Sequence, residues 1–208
     1  MTVIQHPPRA GRRDAVRNYH RILDAAREVL GESGAEASME EIATRAGVGV
    51  GTVYRKFASK DALIDELLRL ATAEVTAAAE QALARTGGHG LEELLRALGQ
   101  SFAGHARYAN LLLERPADPA VGRLIRAAIV ELTARAAAAG TVDPGITAAD
   151  VMALVWALRG LVQAPGEVTP QGWQRFLDIH LAGLRAPGPV SATPSMSAGQ
   201  LEELLPRP

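Results

Sequence analysis

Apolar residues recur at three- and four-residue steps along almost the whole chain. Val16, Tyr19, Ile22, Leu23, Ala26, Val29 and Leu30 follow that step in one window, and Leu63, Leu67, Leu70, Ala71 and Ala78 in another. Such spacing collects side chains on one side of a helix, whereas a half-buried strand needs strict alternation. No alternating Val, Ile or Tyr run between turn residues competes with it. Composition agrees. Hydrophobic residues make up 48% of the 208 but aromatics only 4%, and Ala and Leu, both helix formers, supply much of the difference. The expected fold is all-α, with about nine helices and no sheet.

Local signals divide the chain. "PPRAGRRDAVR" reads as a basic arm over residues 1–13, either a solvated tail or an arm that reaches phosphates or a minor groove. A first helix starts at Asp14 and ends near Gly34, a left-handed cap. Ser38 and Glu41 form an S-x-x-E capping box that opens a second helix, which stops at Gly47. A third runs from about Gly49 to Lys56, and a long one starts at the cap Ser59. Further starts fall at Asp118 with Pro119, at Thr147 with Asp150, and at Thr169 with Pro170. The expected organisation is a helix-turn-helix domain over 14–58, a helical body over 59–185, and a Pro/Ser/Ala-rich disordered tail over 186–208.

Several chemistries are excluded by residue type. There is no cysteine, so there is no disulfide or thiolate site. His6, His20, His89, His105 and His180 make no H-x-x-x-H or H-E-x-x-H pattern, so no metal and no cofactor is expected. No G-x-S-x-G elbow occurs, and no run of about 18 apolar residues spans a membrane. No apolar leader opens the chain, so a cytoplasmic location is expected. The net charge of −1 is uneven: residues 1–60 hold 10 Lys+Arg against 7 Asp+Glu. A mildly basic front on an acidic body is compatible with DNA contact at one end.

"GVGVGTVYRKF", residues 47–57, poses the functional question. Closely spaced glycines cradle a nucleotide phosphate in some loops. A P-loop, however, needs Gly-Lys-Ser/Thr, and Gly51 is followed by Thr52 and Val53. A dinucleotide loop follows a strand, and this run follows a helix. Two short helices joined by a glycine turn, after a supporting first helix, instead make a helix-turn-helix.

From Arg21 to about Leu68 the chain resembles the DNA-binding domain of TetR/AcrR-family transcriptional regulators. "EIATRAGV", "GTVY", Phe57 and "SKDAL" carry the resemblance at fixed spacing. It implies a homodimer that puts the Gly49–Lys56 helix into the major groove of double-stranded DNA at a palindromic operator. Val50, Gly51 and Arg55 would lie near base edges, and Thr52, Tyr54, Lys60 and Ser38 would meet phosphates. Arg is the side chain best suited to read guanine bidentately. Lys60 stands in a helix first turn, where amides already attract anions. Tyr54 has a second reading as half-buried packing, and Thr52 as an internal cap. Two residues depart from the pattern. Gly49 replaces a Ser or Thr, which keeps a cap but loses a hydroxyl. Lys56 stands where His or Tyr is usual, as either a phosphate contact or a solvated cation.

The same resemblance implies that the body binds a small effector and dimerises through its last two long helices. An apolar pocket with a few polar groups is expected from Phe102, His105, Tyr108, Asn110, Leu113, Leu124, Ala128, Trp156 and Arg159. His105 and Arg159 read more readily as structural polar residues than as ligand contacts. The dimer stripes are Val151, Leu154, Val155, Leu158 and Val162, then Trp173, Phe176, Leu177, His180, Leu181 and Leu184. Their alternative reading is packing within one chain. The expected function is a ligand-responsive regulator, most often a repressor, released from DNA by a hydrophobic or amphipathic effector. An enzyme and a helical scaffold are the rivals, and a DNA titration separates them.

Overall fold

The computed structural model describes residues 9–115, 118–164, 171–185, 193–197 and 200, with side chains from Arg13 onward. The described residues form nine α-helices and two 3₁₀ turns, without a strand. They divide into two compact units.

The first unit contains α1 (Arg9–Ser33), α2 (Met39–Ala46), α3 (Val50–Lys56) and the start of α4 (Lys60–Ala84) as far as Arg69, together with Asn110–Arg115. α1 begins at Arg9, ahead of the expected Asp14, so residues 9–13 are helix rather than an unstructured arm. From Arg13 onward, Ile22 is the first buried residue of α1. A 3₁₀ turn over Gly34–Glu36 follows, with Gly34 at φ +55 as its left-handed position suggests. Leu23, Ala26 and Leu30 pack inward, as do Ile42 of α2, Val53 of α3 and Leu63, Ile64 and Leu67 of α4. Each of these Leu, Ile and Val side chains contributes about 1.5–3 kcal/mol by leaving water. Arg115 pairs with Asp61 and Asp65 of α4. The division between the units therefore falls inside α4, after Arg69, and not at residue 58.

The second unit contains the rest of α4, α5 (Gly90–His105), α7 (Pro119–Ala138), α8 (Ala148–Gln163) and α9 (Gly172–Arg185), while α6 (Ala109–Leu113) straddles the division. Asp118 caps α7 by accepting from the Ala120 amide at 2.8 Å, with Pro119 in the first turn. Thr147 and Asp150 form the expected capping box of α8. Thr169 and Pro170 lie outside the described residues. Leu94, Leu95 and Leu98 of α5 meet Ile129 and Leu132 of α7, Val151 and Leu158 of α8 and Trp173, Leu177 and Leu181 of α9 in one core. In the stretch expected to be a disordered tail, Ser195 donates to Asp150 Oδ1 at 3.1 Å and lies 2.7 Å from Thr147 Oγ1. Residues 193–197 thus hold to the α8 cap, and most of the remaining tail lies outside the described residues. Among the described residues no helix is long and apolar enough to cross a membrane.

Candidate nucleic-acid interface

α2, its turn and α3 are built by short-range chemistry. Ser38 Oγ accepts the Glu41 amide at 3.2 Å, and Glu41 Oε2 accepts the Ser38 amide at 2.8 Å. That amide, then the Ser38 hydroxyl, holds the Glu41 carboxyl below its ordinary range. Gly47 ends α2 at φ +62, a conformation that costs a side-chain-bearing residue roughly 1–2 kcal/mol. The Val48 amide then closes on Ala43 O at 3.0 Å. Gly49 caps α3 in an extended conformation without a side-chain hydrogen bond.

α3 has two sides. Val53 is wholly buried, and Phe57 behind it is nearly so. Val50, Gly51, Tyr54, Arg55 and Lys56 face outward, with Val50 40% and Tyr54 46% exposed. Thr52 is half-buried, and its amide donates to Gly49 O at 2.8 Å. A Cβ on Gly51 would meet nothing within 4 Å, so this outward surface is low and open. The structure therefore brings five of the eight expected DNA residues onto one continuous outward surface.

The flanking residues are engaged locally. The Ser38 hydroxyl belongs to the capping box. Lys60 Nζ donates to Ala35 O and, at 3.1 Å, to Ala37 O, so it ties the α1–α2 turn to the start of α4. Three contributors escaped the sequence reading. Arg21 Nη2 donates to Gly47 O at 3.4 Å, beside the turn. Tyr19 donates its hydroxyl to Glu66, and Lys56 Nζ lies 4.9 Å from the Tyr19 ring centroid. Periodicity marked Tyr19 only as a core position and gave no sign of Glu66.

Most of the expected dimer stripe lies in the core of one chain. Val151, Leu154, Val155, Leu158, Trp173, Leu177 and Leu181 are buried within the second unit, and Val162, Phe176 and Leu184 are partly buried against the same core. Those seven side chains, enclosed by their own chain, have little surface left for a second copy, whereas the three partly buried ones keep some. His180 alone of the set is exposed, with its Nδ1 on Phe176 O at 2.8 Å. The outward side of α9 presents a shallow, open surface made by Gln171, Gln174, Arg175, Asp178, Ile179 and Ala182.

The expected effector residues are divided between the two units. Phe102, Leu124 and Trp156 are half-buried against the core, and Tyr108 is buried. Ala128 has no exposed surface and so lines no cavity wide enough for water, contrary to expectation. His105 Nδ1–H donates to Ser101 O at 2.6 Å and its ring meets Tyr108 edge-on, as in its structural reading. Arg159 is half-buried, and Asn110 and Leu113 are exposed members of the first unit. Among the described residues no group of three His, Asp or Glu side chains is arranged to hold a metal.

Both parts of the chain match known families. Residues 22–67 match the family described as bacterial regulatory proteins, tetR family, and residues 90–186 match the transcriptional regulator SbtR-like C-terminal domain. The TetR transcription regulatory protein from Mycobacterium vanbaalenii is 30% identical over 84% of this chain and 99% of its own, with a TM-score of 0.58. The TetR transcriptional regulator SCO0520 from Streptomyces coelicolor is 31% identical over 81% of this chain and 99% of its own, again at 0.58. The HTH-type transcriptional regulator SAB2452 from Staphylococcus aureus (strain bovine RF122 / ET3-1) is 43% identical over 53 residues, which span 25% of this chain and 29% of that relative.

Proposed function

Since the chain belongs to the TetR family of DNA-binding transcriptional regulators, we propose that it acts as a homodimeric repressor on a palindromic operator and is released by a small hydrophobic or amphipathic effector. The observation that carries this is the outward surface of α3, where Val50, Tyr54 and Arg55 stand exposed on a helix whose other side is locked by Val53 and Phe57. Arg55 reads a guanine edge, Val50 meets a thymine methyl, and Tyr54, Thr52 and Lys56 hold phosphates. Val50 and Gly51 offer no side-chain hydrogen bond, so DNA shape supplies part of the preference. Lys60 reaches a phosphate only by exchanging its carbonyl partners at Ala35 and Ala37.

Two copies pair through surface that the single chain leaves open. Ile179, 58% exposed, and Ala182 on α9 supply it, while the core stripe holds each copy's bundle together. A twofold pair presents two reading helices to half-sites about 34–36 Å apart. An effector that favours a body conformation with a different spacing lowers DNA affinity by its preference between the two states. α4 belongs to both units and is the covalent route for that coupling.

Selection of duplexes from a randomised pool tests the reading. Recovery of a palindrome bound about 10³-fold or more above random duplex, with steep salt dependence, is the expected result. Equal affinity for all duplexes at every salt concentration overturns it.

A further inference from the structure

Tyr19 of α1 is held on two sides. Phe57 stacks against its ring with centroids 5.9 Å apart, and its hydroxyl donates to Glu66 Oε1. Glu66 is fixed in turn by Arg69, whose Nε and Nη2 each donate to it at 2.7 Å. On the ring lies Lys56, its Nζ 4.9 Å from the centroid, within the range over which a ring face attracts a cation. The nearby Glu66 carboxylate is already answered by a bidentate guanidinium, and Lys56 adds only a through-space attraction to it. None of the described ion pairs includes Lys56, so no carboxylate is in contact with its ammonium. Lys56 is exposed in the last turn of α3, directly after Arg55.

We propose that Tyr19 is a positioning residue for DNA binding, its clamped ring holding the Lys56 ammonium at the end of α3 as a phosphate contact. This rests on α3 being the reading helix. A lysine stem is long and freely rotating, and immobilising it on contact costs affinity. A ring that confines the ammonium beforehand removes part of that cost. It also supplies a phosphate contact on a helix whose cap, Gly49, brings no hydroxyl.

The test is a double-mutant cycle read against salt. Native protein, Tyr19→Leu, Tyr19→Phe, Lys56→Gln and the Tyr19→Leu/Lys56→Gln pair are titrated between about 50 and 200 mM salt. The probes are a duplex the native protein selects from a randomised pool and a mixed-sequence duplex of equal length. Lys56→Gln lowers the slope of log affinity on log salt by about 0.9 on both duplexes. Tyr19→Leu weakens binding roughly two- to fivefold, and by nothing further in the Lys56→Gln background. Tyr19→Phe keeps the ring and binds like the native protein. Where Tyr19→Leu does not fold, Tyr19→Met keeps the bulk without a ring face and carries the same comparison. An equal loss from Tyr19→Leu with and without Lys56, or an unchanged slope in Lys56→Gln, overturns the inference while the regulator reading stands. A native protein that prefers no duplex overturns both.

Discussion

A Cβ placed on Gly99 would stand 2.5 Å from Cζ3 of Trp173. Gly99 lies inside α5 and the Trp173 ring is buried in the same core, so neither side has a flexible end that can yield. The glycine is therefore a packing residue that lets α5 and α9 approach closely. Gly99→Ala is expected to destabilise the protein by about 1–3 kcal/mol, although alanine is the better helix former. Thermal or urea unfolding checks it, and a midpoint equal to or above that of the native protein refutes the close approach.

Gly51 is the opposite case. A Cβ there meets nothing within 4 Å, so Gly51→Ala is expected to raise stability by roughly 0.5–1 kcal/mol through helix propensity. If α3 lies in a groove, the added methyl occupies space that DNA needs, and affinity for the selected duplex falls roughly fivefold or more. Stability and binding measured on the same variant should therefore move in opposite directions. A stabilised variant with undiminished DNA affinity would remove Gly51 from the interface.

Glu66 gives the first unit an acid-sensitive joint. The Arg69 guanidinium, aided by the Tyr19 hydroxyl and opposed by partial burial, holds its carboxyl at about 2 rather than the usual 4.5. A depressed folded-state value means that the contribution is complete above about pH 4.5 and is lost as pH falls towards 2. Native protein should lose thermal stability across that interval, and Glu66→Gln should lose less of it. Parallel melting curves at pH 5, 4 and 3 make the comparison, and identical slopes for the two proteins would contradict it.

What was legible in the sequence was short-range. The Ser38–Glu41 and Thr147–Asp150 boxes, the Asp118–Pro119 start and the Gly47 turn each depend on residues within a few positions, and all stand where expected. The outward residues of α3 followed from Val53 and Phe57 being the only two that share an apolar side there. Three things were not legible, for physical reasons. The apolar repeat of α1 begins only at Val16, so periodicity is silent over residues 9–13 although they are helical. The stripes of Val151–Leu158 and Trp173–Leu181 show that a face is buried but not what buries it, and it is the chain's own core. Contacts such as Lys56 on Tyr19 join residues far apart in the chain and leave no spacing to read.

Lys60 separates a folding role from a binding role at one side chain. Its ammonium donates to Ala35 O and Ala37 O, which lie in and just beyond the turn that delivers the chain to α2. Lys60→Ala removes that tie and leaves two carbonyls to find water, which is expected to cost about 0.5–1.5 kcal/mol of stability. If the same ammonium also meets a phosphate, the variant must in addition lower the salt slope of DNA binding by about 0.9 and weaken selected and mixed duplexes alike. Arg55→Ala supplies the contrast, since losing a base-reading side chain relaxes preference by about 1–3 kcal/mol at one position and leaves stability near its native value. Lower stability in Lys60→Ala with an unchanged salt slope would confine Lys60 to the fold and leave the phosphate contacts to α3.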